Sequence, residues 1–335
     1  MLNSKANDRK SITTFLLNNA IVILLVVISV AVGILRPTFI SLQNLINLIN
    51  NTTGRFIVAL GVSGCLIAKG TDLSAGRAVG LAGCIAATFL QRANFASKVY
   101  PNIGNLNMLL VLLGVVAIAA FFGVINGSVI SFLKVPPFIA TLGMQTIIYG
   151  ICLVFTGAQP IGGLREDYTN ISSGFLLGIR ALPYMGFIAL ACGIIIWFVY
   201  NKTAHGKYMY AIGGNELAAE GNGINTRKTK IIIYAAAGAL YGVAGFLYGA
   251  KAGGTSVNLG MGYELEAIAG CTIGGVSTNG GVGRVSGILV GVLVFELLKI
   301  AMNFIGVQAS YTYIVQGLVI VLAVAVDMRK YAGRK

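Results

Sequence analysis

The sequence predicts an all-α, polytopic membrane protein: a single transmembrane domain over residues 1–335, with about ten transmembrane helices and both termini cytoplasmic. Three observations carry this expectation. Charged residues make up 10% of the chain and hydrophobic ones 56%, with a mean hydropathy of +0.84, whereas a soluble domain carries about 25% charged residues. One soluble core could not hide so much apolar sequence and still present a polar surface. Apolar runs recur from end to end, several with the roughly 20 residues needed to cross a bilayer. The 45 glycines suit helices that pack closely in lipid.

In chain order the candidate spans are Phe15–Leu35, Arg55–Lys69, Ala78–Gln91, Met108–Ile130, Pro137–Gly157, Tyr184–Tyr200, Ile231–Ala250, Leu265–Ser277, Val285–Ile305 and Tyr311–Val326. The second, third and eighth are short. Lys5, Arg9 and Lys10 precede the first run as in a secretory signal, but no small-x-small cleavage site follows, so it reads as an uncleaved span. Ten spans put both termini on one side. With that side cytoplasmic, 16 of the 24 basic residues fall inside and seven outside, and Lys299 lies within a span. The positive-inside rule favours this orientation. The formal charge of +14 then reads as topology and contact with lipid headgroups, not as a nucleic-acid surface.

Composition also limits the chemistry. Cys65, Cys84, Cys152, Cys192 and Cys271 lie in apolar stretches without a C-x-x-C pair and read as small buried hydrophobes. The single histidine, His205, and scattered acids offer no metal cluster or nucleophile–base pair for a membrane-embedded enzyme. No G-x-x-x-x-G-K-[ST] phosphate loop is present. The Gly206-Lys207 pair runs into Tyr208, and Gly280-Gly281-Val282-Gly283 lacks the lysine. ATP hydrolysis, if any, therefore belongs to a partner.

Four features are candidates for function. The loop Asn201–Lys230 holds a predicted short helix over 215–220, with Asn215 as N-cap, Gly213-Gly214 before it and Gly221 and Gly223 after it. Such a helix is a lever for a soluble partner, or an ordinary interfacial connector. The glycine-rich hairpin Gly70–Arg77 joins two short spans, the usual pointer to a substrate path. Its Thr71, Asp72 and Ser74 are suited to bonding a ligand hydroxyl, but capping of the next helix is favoured because Asp-x-Ser is ordinary N-cap chemistry. Cys65-x-Ile67 before Gly76-Arg77-x-x-Gly80 parallels Cys271-x-Ile273 before Gly283-Arg284-x-x-Gly287, either a repeat in parallel orientation or chance. Glu296 and Lys299 share a face of the ninth span, as a self-neutralising pair or a proton or ion relay. Several Gly-x-x-x-Gly patterns, Gly238-x-x-x-Gly242 and Gly287-x-x-x-Gly291 among them, indicate tight packing without identifying a dimer face.

Three motifs resemble one family. Gly206 to Ala219, with Gly223-Ile224-Asn225, resembles the coupling loop of ribose/galactose/xylose-type permeases of ABC sugar importers. Gly70-Thr71-Asp72-Leu73-Ser74-Ala75-Gly76-Arg77 is similar to that family's G-x-D-L-S-x-G motif. Asn258-Leu259-Gly260, Tyr263 to Ala269 and Gly274-Gly275-Val276-Ser277 resemble its late motif. Within the family, Thr71, Arg77, Val79-Gly80-Leu81-Ala82 and the Lys330-Tyr331-Ala332 ending look like the galactose/methyl-galactoside branch. The resemblance runs from Pro37-Thr38-Phe39 to the C-terminus; Glu296/Lys299 matches nothing in its pattern. It implies a permease homodimer in a bacterial inner membrane, a cytosolic ATPase that binds ATP and magnesium, and a periplasmic or lipid-anchored sugar-binding protein. No cofactor in this chain and no nucleic-acid partner are implied. It implies an ATPase-coupling role for Gly213, Gly214, Asn215, Glu216, Ala218, Ala219, Gly223 and Ile224. Candidate pathway residues are Thr71, Asp72, Ser74, Gly76, Arg77, Asn258 and Glu264. The rival expectation is an ion-coupled secondary sugar transporter, which would use Glu296/Lys299 but leaves the three motifs unexplained.

Overall fold

The computed structural model describes residues 20–332. Phe15–Asn19 of the first expected span and the terminal cations Lys5, Arg9, Lys10, Arg334 and Lys335 lie outside the described residues. Thirteen α-helices are described: α1 (Ala20–Leu35), α2 (Leu42–Ile67), α3 (Ala75–Phe89), α4 (Met108–Phe132), α5 (Pro137–Thr156), α6 (Glu166–Ser173), α7 (Tyr184–Lys202), α8 (Ala204–Gly214), α9 (Glu216–Gly221), α10 (Thr226–Ala252), α11 (Tyr263–Ile273), α12 (Val285–Phe304) and α13 (Ala309–Ala332). Among the described residues no strand forms, only three isolated bridges. Among the described residues every expected run overlaps a helix. Six helices are both long and apolar enough to cross a membrane: α4, α5, α7, α10, α12 and, over Ser310–Met328, α13.

Two short runs differ from expectation. The run at Arg55–Lys69 is the second half of the 26-residue α2. Its first half is rich in asparagine and too polar to read as a span. It is helical because the Ser41 hydroxyl caps it, accepting from Asn44 N at 3.2 Å, while the Asn44 amide donates to Phe39 O at 2.7 Å. The eighth run, expected at Leu265–Ser277, overlaps an 11-residue helix, α11, which starts two residues earlier. At 1.5 Å per residue that is about 16 Å, half the hydrocarbon thickness. It begins where the irregular segment 253–262 ends, and that segment packs along α3.

Burial sorts the long helices. In α10 and α12, 61% and 67% of the apolar window is buried, against 22% in α4, α5, α7 and α13. The four outer helices turn Leu113, Phe121, Val154, Ile195, Phe198, Leu318 and Val321 outward, as lipid contact requires. The central helix α10 packs on α4, α3 and α2. Gly238 and Gly242 let α10 meet the α4 backbone at Ala119 and Val116, where a methyl group would collide. Gly287 and Gly291 do the same for α12 against α11 at Gly274 and Gly270. These glycine patterns therefore serve contacts within the chain.

The suspected repeat has a local counterpart. In α2 the Cys65 carbonyl accepts from Gly70 N at 2.8 Å, and in α11 the Cys271 carbonyl accepts from Val276 N at 2.9 Å. Each is a Schellman closure, with a left-handed residue at the matched place, Lys69 (φ 61°) and Gly275 (φ 84°). The two helices run parallel, with Cys271 Sγ donating to Ala59 O at 3.3 Å.

Candidate functional site

Between the end of α10 and the start of α11 the chain lines a cavity of about 1130 Å³. The Ile161–Thr255 bridge pins its wall, with N–H to carbonyl bonds of 2.8 Å in both directions. Asn258, Ser256, Thr255, Met261, Tyr263 and Tyr313 line it. Amide and hydroxyl groups beside aromatic faces are a lining that can bond a polyhydroxylated ligand along its edge and cover its C–H face. Tyr263 is held from behind by Tyr248, ring centroids 4.9 Å apart, and by the Arg55 guanidinium 5.1 Å from its centroid.

Arg55 belongs to a charge cluster beneath that cavity. Its Nε donates to Glu266 Oε2 and lies beside Glu296 Oε1, both at 2.7 Å; Lys299 Nζ lies 2.6 Å from Glu266 Oε2 and 3.2 Å from Glu296 Oε1. The expected Glu296/Lys299 pair is thus half of a neutral quartet tying α2, α11 and α12 together. Two cations and two carboxylates in mutual contact solve the problem of placing charge among apolar helices. Sequence reasoning missed Arg55 and Glu266 as members. Glu266 stood inside the Tyr263–Ala269 motif, and Arg55 at the expected edge of a span, so both carried a signal without a partner.

The seven pathway candidates separate. Only Asn258 lines the cavity. Asp72 is 1% exposed and its Oδ1 accepts from Ser74 N at 3.0 Å and Ser74 Oγ at 2.6 Å. This is a turn leading into α3, whose N-cap is Ser74, so the favoured capping expectation becomes an Asx turn one step earlier. Ser74 Oγ in turn accepts from the Asn126 amide at 2.9 Å, and Thr71 O accepts from Tyr234 at 3.3 Å and from Thr141 Oγ1 at 3.3 Å. Arg77 donates to Val257 O at 3.0 Å and stacks on Tyr149 at 4.1 Å. Gly76 admits the buried Glu264 carboxylate and Gly260 O, which a side chain at Gly76 would strike. Arg77, Gly76 and Glu264 hold the segment 253–262 and the start of α11 against α3, while Thr71, Asp72 and Ser74 tie the turn before α3 to α4, α5 and α10.

At the other end of the bundle lie α8 and α9. The Asn215 side chain caps α9 as expected, accepting from Ala218 N at 3.0 Å, and Gly223 takes φ 80°. Gly213-Gly214, expected only to precede that helix, closes a full helix of its own, α8, which the sequence did not reveal. Gly213 lies directly on Ile67 O and Gly281 N, Gly281 N donates to that same carbonyl at 2.8 Å, and the Tyr210 hydroxyl donates to Gly283 O at 2.8 Å. The end of α2, the turn before α12 and α8 therefore share one backbone junction. Glu216 pairs with Lys230 at 2.6 Å, and Ile224 N donates to Ala219 O at 3.1 Å, which folds the loop back on α9. Leu217 is 80% exposed and Ala218 exposed, while Ala219 is 5% exposed. Burial pushes the half-buried His205 imidazole of α8 below its ordinary value.

A helical bundle with a polar mouth, a half-length helix at its floor and a presented short helix at the far end is a layout suited to a transport protein. The chain belongs to the family described as "Branched-chain amino acid transport system / permease component", matched over residues 44–324; it is an ABC transporter permease subunit and not itself an enzyme. It is 43% identical to the Galactose/methyl galactoside import permease protein MglC of Escherichia coli (strain K12), over 98% of this chain and 99% of that one. To the protein of the same name from Haemophilus influenzae it is 42% identical, over 95% and 96%. To the Ribose import permease protein RbsC of E. coli (strain K12) it is 34% identical, over 93% of each. No solved structure matches it.

Proposed function

We propose that this chain forms the membrane path of a bacterial inner-membrane importer for a monosaccharide, galactose or methyl galactoside. One observation carries the sugar: identity of 43% along virtually the whole chain to a galactose/methyl galactoside import permease, against 34% to a ribose permease. The amino acid in the family description is the weaker guide, because the full-length relatives are named for sugars. A homodimer with ten spans per copy and cytoplasmic termini is the arrangement we favour. A cytosolic ATPase that binds ATP and magnesium docks on α8–α9, and a periplasmic binding protein delivers sugar to the mouth at 253–263. The ion-coupled alternative gains no support from Glu296 and Lys299, whose charges are engaged by Arg55 and Glu266.

The test is ATP hydrolysis in proteoliposomes holding the permease, its ATPase and its binding protein. Galactose should stimulate hydrolysis and ribose should not. Ala218→Trp, which adds bulk on an exposed face, should abolish stimulation with an unchanged melting temperature. Ala219→Trp, overpacking a buried site, should also cost about 1–3 kcal/mol of stability. Galactose uptake that needs a proton or sodium gradient and no ATP would overturn the proposal.

A further inference from the structure

We propose that the cavity framed by the ends of α2, α4, α5 and α10, on the membrane face that carries α9, holds the phosphate of an anionic phospholipid. The cavity has a volume of about 420 Å³ and is lined by Lys69, Lys134, Arg227, Lys230, Glu216 and Glu220, with Pro136 and Pro137 at its rim. Four cations face two carboxylates, and both carboxylates are already engaged. Glu216 pairs with Lys230 at 2.6 Å and Glu220 accepts from Thr226 at 2.5 Å. Lys69, Lys134 and Arg227 are exposed and form no ion pair with any described residue. The positive ends of two helices add to this field: α5 starts at Pro137 with no side-chain cap, and α10 starts at Thr226.

The backbone supports a role for the two lysines. Lys69 (φ 61°) and Lys134 (φ 54°) are two of the four non-glycine residues with positive φ among the described residues. Glycine or asparagine would hold that conformation at less cost. Each closes a helix, α2 or α4, at the place where glycine is the usual residue, and lysine there instead brings two ammonium groups to one cavity.

The surroundings decide the source of the phosphate. Phe132, Leu133, Phe138 and Ile139 flank Lys134 to Pro137 in sequence and are 56–70% exposed. They give acyl chains a bed beside the cations, which a free phosphate ion would not need. Helix ends are also where headgroups lie and where basic clusters gather anionic lipid. The proposal depends only on the helices crossing a membrane; it requires neither the sugar nor the ATPase.

Native mass spectrometry of the purified permease, titrated with phosphatidylglycerol or phosphatidylcholine, tests it. The wild type should retain phosphatidylglycerol selectively. Lys69→Asn and Lys134→Asn keep the left-handed backbone and remove the charge, and with Arg227→Gln each should weaken retention about fivefold. Melting temperature without lipid controls for folding, and Arg227→Gln, at an exposed first-turn position, serves if either lysine variant unfolds. Unchanged retention in the variants overturns the proposal. So does displacement of the lipid by millimolar inorganic phosphate, which would mark a free-anion site. Loss of ATPase co-purification with lipid retention intact would make the cavity a docking surface for an acidic protein, and overturns it too. Because lipid binding is read on the permease alone, failure here leaves the transport reading standing.

Discussion

Arg55 holds three helices together because each of its neighbours carries what the others lack. Its Nε sits 2.7 Å from both Glu266 and Glu296, and Lys299 closes the ring. Removing one carboxylate leaves two cations sharing one counter-charge in an apolar setting. Glu296→Gln should therefore cost about 3–5 kcal/mol of stability, read as a lowered midpoint of thermal unfolding in detergent. Glu296→Gln/Lys299→Met restores neutrality and should cost less than Glu296→Gln alone, the coupling expected of groups in contact. ATP-driven uptake surviving in that double variant would exclude a relay through the pair. The sequence showed Glu296 and Lys299 together because three residues along a helix is a local spacing. Arg55 lies far away in sequence, and only tertiary packing brings it in. His205 gives a pH prediction. Burial lowers its folded value below the ordinary value of about 6.5, so its neutral form is the one the fold tolerates. Stability is complete above about pH 6.5 and is lost as pH falls through the lowered folded value. The melting temperature should drop less between pH 7.5 and 5.5 in His205→Gln than in the wild type.

At the scale of elements, α8 and α9 differ in how openly the sequence announced them. The Asn215 cap followed by Glu-Leu-Ala-Ala marks α9 plainly. The α8 segment contains Gly206, Gly213 and Gly214, which lower helix propensity by up to about 1 kcal/mol each. Two things override that cost. The Thr203 hydroxyl caps the helix, accepting from Gly206 N at 3.2 Å, and Met209 and Ile212 are buried to 1% exposure. Gly213 lets α8 lie on the Ile67 carbonyl and Gly281, and in the proposed coupling role this backbone contact would carry a push on α9 to α2 and the turn before α12. Gly213→Ala places a methyl group in that junction. The expected outcome is a permease that still assembles with its ATPase but whose hydrolysis no longer responds to sugar. Wild-type stimulation in this variant would remove the junction from the coupling route.

At the scale of the whole molecule, charge distribution and helix length make separate statements. Six helices qualify as spans by length and hydropathy, and α1, α2, α3 and α11 fall short for different reasons. The α1 helix is described only from Ala20, α3 is short, α2 is polar in its first half, and α11 is a half helix preceded by the irregular segment 253–262. If all ten cross, directly or with such a segment, both termini lie on one side, which the positive-inside rule predicts to be the cytoplasm. Fusions of a cytoplasm-active fluorescent reporter to either end should then both fluoresce, while periplasm-active phosphatase fusions to the same ends should stay dark. One bright and one dark fluorescent fusion would mean an odd number of crossings.

By itself the sequence determined the solvent and the apolar helices, though not α8 or the first half of α2. An apolar chain with 10% charge has no soluble solution, and periodic runs of membrane length have no alternative to helix in lipid. It also marked Asn215 as a cap, and of its seven pathway candidates the structure places Asn258 in the cavity wall. What only the tertiary structure decided is which polar groups meet. Asp72 turned inward to Ser74, Glu264 was received by Gly76, and Arg55 completed the quartet across 211 residues to Glu266. The physical reason is the same in each case. Helix propensity and hydropathy act over neighbouring residues, whereas a buried charge or donor is satisfied by whatever the packing of distant helices brings within 3 Å.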